Sequence, residues 1–198
     1  MRYLIGVDEA GRGPLAGPVA VGVVMVEEGF DVAVEFPGVA DSKSISAGKR
    51  ERIFSLLEAR ARKGDVQYRV EFTSAADIDE RGIVPAVRSA LERGIRALAP
   101  DPRSVASIRL DGSLAAPEEY AQETIIRGDA LVPLISLASI AAKVLRDRHM
   151  TELAARYPDY GFERHKGYGT QAHYRALRKR GPCVIHRRTF LHLDGTRK

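Results

Sequence analysis

Residues 3–19 read YLIGVDEAGRGPLAGPV, an apolar run that ends in two adjacent carboxylates and continues into a stretch rich in glycine and proline. A second apolar run, VAVGVVMV, occupies residues 19–26. Two β-rich runs separated by Gly and Pro are typical of strands joined by a structured loop. Successive side chains of a strand point to opposite faces, so Asp8 and Glu9 can serve one site only if the strand ends or bends there. Gly11 and Gly13 permit such a sharp departure.

Strands and helices alternate through the rest of the chain. Ser46 is placed to cap a helix that runs to about Lys63, with Ile53, Leu56 and Leu57 on one face. The same criteria predict strands at Val66–Phe72, Ser104–Asp111 and Thr124–Ile126, and helices at Ile83–Leu98, from Pro133 toward Arg156, and at Gln171–Lys179. The pattern indicates a mixed α/β fold in which helices cover a central sheet.

Composition limits the class of protein. The 198 residues are 44% apolar and 29% charged, which suits one globular domain. Cys183 is the single cysteine, so the chain has no intrachain disulfide and no cysteine pair for zinc. We see no signal peptide, and the longest later apolar run, Val19–Val26, is too short to span a bilayer. We therefore expect a cytoplasmic protein without a membrane partner.

Positive charge is concentrated in the C-terminal part of the chain. Residues 143–198 carry 14 Lys and Arg against 5 Asp and Glu, although the whole chain has a net charge of only +5. A basic region beside a more acidic remainder favours a polyanionic partner such as nucleic acid. An ordinary solvated surface remains the alternative interpretation of this charge.

Carboxylates recur at the ends of predicted strands. Asp111 follows a strand in Leu110-Asp111-Gly112, and Asp129 lies in a Gly-Asp pair after another. Either aspartate taken alone is also compatible with an ordinary turn. Adjacent Asp8 and Glu9 are harder to explain without a cation, because clustered carboxylates raise one another's pKa. Carboxylate ligands suit Mg²⁺ or Mn²⁺, and a pair of such ions can promote nucleophilic displacement at the phosphorus of a phosphodiester. The spacing of the four acidic residues along the chain does not by itself show that they converge.

The glycine-rich loop invites comparison with dinucleotide-binding loops. Its spacing is Gly-x-Gly-x-x-x-Gly, and Pro18 leads into a β-rich run rather than a helix. No Gly-Lys-Ser/Thr sequence ends the loop. Both features disfavour a dinucleotide oxidoreductase, which would bind NAD(P) without a metal. A glycine loop can instead present backbone N–H groups to a sugar or phosphate.

Residues 3–19 resemble the N-terminal signature of ribonuclease HII, the type 2 ribonuclease H. Further blocks follow in the family's order across nearly the whole chain. They are Asp41-Ser42-Lys43, Leu110-Asp111-Gly112, Gly128-Asp129, Ala138-Ser139-Ile140-Ala141-Ala142-Lys143-Val144 with Arg146-Asp147, His165-Lys166-Gly167-Tyr168-Gly169-Thr170, and His186-Arg187-Arg188-Thr189-Phe190.

The resemblance implies a ribonuclease H-like mixed sheet flanked by helices, with a helical C-terminal part. We expect a single catalytic domain over residues 1–198, in which 157–198 form a helical, basic, substrate-binding part. The resemblance assigns the metal-binding and catalytic carboxylates and the groups that recognise the nucleotide at an RNA–DNA junction. These are Asp8, Glu9, Asp111 and Asp129 for the metal, and the Gly11-Arg12-Gly13 backbone with Tyr168 for the nucleotide.

The resemblance also implies an activity. The family hydrolyses the RNA strand of RNA/DNA hybrids and cuts on the 5′ side of single ribonucleotides embedded in duplex DNA, leaving 3′-hydroxyl and 5′-phosphate ends. We expect two Mn²⁺ or Mg²⁺ ions during catalysis. A non-catalytic nucleic-acid-binding protein that kept this fold is the alternative, which the intact acidic set disfavours.

Several residues carry weaker predictions. Lys43 and Lys143 are candidate phosphate contacts, with a solvated surface lysine as the alternative for each. The local sequence offers no carboxylate partner to four histidines of the basic region, so we interpret them as structural or phosphate-facing; they are His165, His173, His186 and His192. We expect a monomer, and no clamp-binding tail is evident after Phe190.

Overall fold

A computed structural model of the chain describes residues 2–39 and 45–191. Within them the strands are β1 (Tyr3–Ala10), β2 (Val19–Glu27), β3 (Val66–Thr73), β4 (Val105–Asp111) and β5 (Gln122–Ile125). They form one five-stranded sheet in the order β3-β2-β1-β4-β5. The β3-β2-β1 half is antiparallel, whereas β1, β4 and β5 run parallel. The predicted mixed sheet is therefore confirmed.

Helices lie on both faces of this sheet. They are α1 (Val32–Glu35), α2 (Ala47–Lys63), α3 (Ala75–Arg81), α4 (Ile83–Leu98), α5 (Gly128–Leu131), α6 (Pro133–Arg156), α7 (Phe162–His165) and α8 (Gln171–Arg180), with 3₁₀ turns at Pro102–Ser104 and Arg188–Phe190. The predicted helices at Ile83–Leu98 and from Pro133 toward Arg156, now α4 and α6, have the predicted bounds. The short helices α1, α3, α5 and α7 were not predicted, since so few turns display no apolar periodicity.

The start of α2 follows directly from its sequence. The Ser46 hydroxyl accepts a hydrogen bond from the backbone N–H of Lys49, as an N-cap residue does. Ile53 and Leu57 are buried as predicted, but Leu56 is 36% exposed, so its assignment to the buried face is wrong. Phe54 is buried together with Ile53 and Leu57, so the buried stripe is centred near Leu57, and Leu56, about 100° away around the helix, lies at its edge.

The two faces of the sheet are covered differently. Amphipathic α4 packs on one face, where its Val87, Leu91 and Ile95 join the core formed with alternate residues of β1 and β2. The long helix α6 packs on the other face against β1 and β2. Gly22 permits this close approach, since a Cβ atom there would lie 2.2 Å from the carbonyl oxygen of Ala138. The first turns of α6 therefore lie close to the centre of the sheet.

The C-terminal segment returns to the loop that follows β1. The backbone N–H of Leu15 donates to the carbonyl of Gly167, and that of Gly17 donates to the carbonyl of Ile185. Ala16 also forms an isolated antiparallel bridge with His186. These contacts hold the loop between β1 and β2 from outside the sheet. In the part of the chain that the structure describes, no helix is both long and apolar enough to cross a membrane.

Candidate active site

The predicted acidic residues meet at one edge of the sheet. Strands β1 and β4 run parallel, with Val7 opposite Leu110, so Asp8 and Asp111 leave the paired region side by side. Asp129 lies in α5, just before α6, and its backbone N–H donates to Oδ1 of Asp111 at 3.3 Å. Glu9 completes the group from the next position of β1. Residues separated by more than 100 positions in the chain are thus brought together at one edge of the sheet.

The strand does not end at Asp8, contrary to one condition set by the sequence. Strand β1 continues to Ala10, with Asp8 opposite Gly22 and Glu9 opposite Val21. Its parallel pairing with β4 stops one residue earlier, at Val7. The edge of β1 is open beyond that point on the β4 side. Both carboxylates reach the same cavity around this open edge although they leave opposite faces of the strand.

Burial makes ionisation of these carboxyl groups unfavourable. Asp8 is 5% exposed, and this burial, together with the neighbouring Glu9 and Asp111 carboxylates, raises its pKa to about 8. Hydrogen bonds from Ser139 and from the backbone N–H of Glu9 act in the opposite direction. Burial also raises the pKa of Glu9, although Arg12 donates to its Oε1 at 3.1 Å and opposes the shift.

The donor set fits a hard divalent cation. All four candidate ligands are carboxylates, which are the side-chain ligands that Mg²⁺ and Mn²⁺ prefer. A bound cation would also offset the repulsion that raises the pKa of Asp8. No three acidic, histidine or cysteine side chains among residues 2–39 and 45–191 are already drawn close enough to hold one ion.

The same cavity is lined by the glycine-rich loop. It has a volume of about 400 Å³ and is bounded by Asp8, Glu9, Ala10, Gly11, Arg12, Gly13, Arg50, Asp111, Asp129, Ser139, Ile140, Lys143 and Tyr168. Gly11 has φ +88°, and a Cβ atom there would lie 1.9 Å from Nε of Arg146, so only glycine fits. At Gly13 no described atom lies within 4 Å of such a Cβ, which leaves the backbone open to a ligand.

Tyr168 and Lys143 also line this cavity. The Tyr168 ring is 40% exposed and lies in the turn between α7 and α8. The ammonium of Lys143 lies 5.6 Å from the centre of that ring, and it also pairs with Asp147 at 2.8 Å. An exposed aromatic ring beside a cation suits stacking against a sugar or base near a phosphate.

Two polar residues of the cavity had no role predicted from the sequence. Arg50 projects from α2, and Ser139 from α6 donates a hydrogen bond to Asp8. Arg50 lies in none of the sequence motifs, and Ser139 lies in the block Ala138–Val144 but has no role predicted there, because both roles depend on where each helix crosses the sheet. Lys43 lies outside the described residues, and so does the end of the chain on which the predicted lack of a clamp-binding tail rests. Both remain predictions.

Of the four histidines predicted to be structural or phosphate-facing, His165, His173 and His186 are buried and structural. His165 stacks on His173 at 4.4 Å, and Nε2 of His173 lies 3.0 Å from Nε2 of His186. Burial, with the neighbouring His173, lowers the pKa of His186 to about 4, so it stays neutral at physiological pH. His173 also contacts the carbonyl of Tyr168 through Nδ1 and so supports the turn. His192 lies outside the described residues.

Comparison with known proteins places this chain among nucleases. The sequence model of the ribonuclease HII family matches residues 5–193. A ribonuclease HII of Geobacillus kaustophilus is 44% identical over 191 residues, which is 96% of this chain and 68% of that protein. The ribonuclease H2 structure of Pyrococcus horikoshii superposes with a TM-score of 0.71 at 27% identity, covering 94% of this chain and 93% of that one. The ribonuclease HII structure from an Archaeoglobus fulgidus complex with PCNA gives 0.73 at 24% identity over 94% of each chain, a likeness in fold.

Proposed function

The chain belongs to the ribonuclease HII family, a family of hydrolytic endoribonucleases, and we propose that it cuts on the 5′ side of ribonucleotides within duplex DNA. Single embedded ribonucleotides and the RNA strand of RNA/DNA hybrids are the proposed substrates. The proposed products carry 3′-hydroxyl and 5′-phosphate ends. A cytoplasmic location and a monomeric state remain predictions from the sequence.

One observation carries this proposal. The four carboxylates, the Gly11–Gly13 backbone and Tyr168 line the same cavity. A site that only hydrolysed phosphodiesters would need the carboxylates alone. A site that chooses a ribonucleotide must also contact the 2′-hydroxyl, the group that separates RNA from DNA at one position. Having both elements within about 400 Å³ allows recognition and cleavage at one nucleotide.

We assign the carboxylates of this cavity to metal binding. Asp8, Glu9, Asp111 and Asp129 would hold divalent ions, Mn²⁺ or Mg²⁺. Two such ions supply activation of water and stabilisation of the leaving oxygen when bound. The chain's own contribution is to fix the carboxylates: the Ser139 hydroxyl and the N–H of Glu9 orient Asp8, and the N–H of Asp129 orients Asp111.

Recognition is assigned to the loop and the tyrosine. Backbone N–H groups of residues 11–13 approach the sugar closely because Gly13 carries no side chain on the open side. Tyr168 would stack against the sugar or base. Lys143 and the Arg12 side chain border the same cavity and are proposed phosphate contacts; Lys43 is proposed in the same role from its sequence. Phosphate contacts would position the duplex without reading its sequence.

A direct test uses two duplexes that are identical except for one ribonucleotide. With Mn²⁺ or Mg²⁺ present we expect a single cut immediately 5′ of the ribonucleotide, and no cut in the all-DNA duplex or with EDTA. Asp8→Asn should abolish cleavage, whereas the matched variant Asp101→Asn should not, because Asp101 is exposed and pairs with Arg103 outside the cavity. A folded protein that leaves the embedded ribonucleotide uncut, or that cuts both duplexes equally, would contradict the proposal.

A further inference from the structure

Two arginines are completely buried behind the glycine-rich loop. Arg146 of α6 and Arg187 of the C-terminal segment each have a relative exposure of 0%. Burial and the neighbouring Arg146 lower the pKa of Arg187 to about 9. Placing two like charges side by side in the interior costs stability, and an apolar side chain would fill the same space without this cost. Their presence therefore calls for a specific task.

The contacts of Arg187 identify that task. Its guanidinium donates to the carbonyl oxygens of Gly11 at 2.7 Å, Arg12 at 2.9 Å and Gly17 at 3.0 Å. Arg146 donates to the carbonyls of Ala16 and Pro18 in the same loop. The rigid planar fork of arginine suits several acceptors at fixed directions, which a lysine cannot serve together.

Fixing these carbonyls also fixes the N–H groups that face the cavity. In a planar trans peptide the C=O and the following N–H point in opposite directions. The carbonyls of Gly11 and Arg12 point to Arg187, so the N–H groups of Arg12 and Gly13 point away from it. Arg187 does not border the cavity, whereas residues 11–13 do. The N–H groups are therefore aimed at the side where a substrate would lie.

We propose that Arg187 is a positioning residue for ribose recognition, which aims the N–H groups of Arg12 and Gly13 at the nucleotide by anchoring the carbonyls behind them. The inference rests on the proposed function, in which this backbone reads the sugar. Arg187 makes no contact with substrate and takes no part in the chemistry. It acts on selectivity from behind the loop.

The segment that carries Arg187 is anchored in turn by Asp79 of α3. The Asp79 carboxylate accepts hydrogen bonds from the backbone N–H of Arg188 at 2.7 Å and of Thr189 at 3.0 Å. Asp79 does not line the cavity. It offers a second, milder way to loosen Arg187 without removing its guanidinium.

The test measures discrimination between the two duplexes in EDTA, where both stay intact. The wild type should bind the ribonucleotide-containing duplex more tightly than the all-DNA duplex. In Arg187→Lys this affinity ratio should fall toward one, while the affinity for all-DNA duplex stays within about twofold, since phosphate contacts dominate it. Cleavage of the embedded ribonucleotide in Mn²⁺ should fall roughly 100-fold, as expected for a small misplacement of reacting groups. Asp79→Asn should shift the ratio in the same direction by a smaller factor.

A matched control separates positioning from general destabilisation. Tyr120→Phe removes a buried hydrogen bond to the carbonyl of Ala99, far from the loop, and should lower the melting temperature without changing the ratio. If folded Arg187→Lys keeps the wild-type affinity ratio for the two duplexes, the inference is overturned. If Arg187→Lys does not fold, an unchanged affinity ratio in Asp79→Asn overturns it instead. If the wild type cleaves selectively at the ribonucleotide, and Arg187→Lys and Asp79→Asn keep this selectivity, the role of Arg187 is refuted while the proposed function stands. A wild type without selectivity refutes the proposed function itself.

Discussion

Replacing Asp8 by asparagine should remove activity and at the same time stabilise the metal-free protein at alkaline pH. The Asp8 carboxyl is buried beside Glu9 and Asp111, and its pKa is raised from 3.8 to about 8. Between these values the unfolded chain ionises Asp8 whereas the folded protein keeps it protonated. Stability contributed by this group is therefore present below the unfolded pKa and is lost as the pH rises through the folded pKa.

The size of the effect follows from the shift. One pKa unit corresponds to about 1.4 kcal/mol, so the complete shift corresponds to at most about 6 kcal/mol. Structural relaxation and entry of water on ionisation reduce this cost, and we expect Asp8→Asn to raise the free energy of unfolding by about 2–4 kcal/mol at about pH 9. The gain should shrink toward zero at about pH 3, where the carboxyl is protonated in the folded state and largely protonated in the unfolded chain.

The assay is urea unfolding of both proteins in EDTA across this pH range, repeated with Mn²⁺. Mn²⁺ should stabilise the wild type more than the variant, because it binds the ionised carboxylates. Asp101→Asn is the control: hydrogen bonds from Arg103 lower the pKa of Asp101, so its replacement should bring no alkaline gain. An Asp8→Asn protein no more stable than wild type at about pH 9, or a gap that does not widen with pH, would refute the electrostatic reasoning.

Three further expectations concern the rest of the site and the fold. Tyr168→Ala should reduce junction cleavage more than general duplex affinity, measured by kinetics and by binding in EDTA; an equal loss of both would make Tyr168 a packing residue. Asp111→Asn should weaken Mn²⁺ binding in isothermal titration, and an unchanged affinity would exclude Asp111 as a ligand. Ser46→Ala should cost about 1 kcal/mol of stability through loss of the α2 cap, with cleavage unchanged, as seen by thermal unfolding and activity assay.

Local signals account for most of the secondary structure that the sequence predicted. Ser46 caps α2, Pro133 opens α6 and Gly181 follows α8, and each of these signals acts within a few residues of the boundary it sets. The exposed Leu56 shows the limit of such reasoning, because a helical stripe does not say how wide the buried contact is. Short helices such as α5 offer too few residues for a pattern.

The sequence by itself identified the four acidic residues as candidate metal ligands and predicted the mixed sheet. Its ordered motifs also identified the family. Tertiary structure decided how the set converges: parallel pairing puts Asp111 beside Asp8, and the open edge of β1 lets both side chains reach one cavity. It also decided the role of Arg187, whose acceptors lie 170 or more residues earlier in the chain. Patterns along a chain record local geometry, whereas contacts at that separation exist only after the sheet has formed and the C-terminal segment has packed against it.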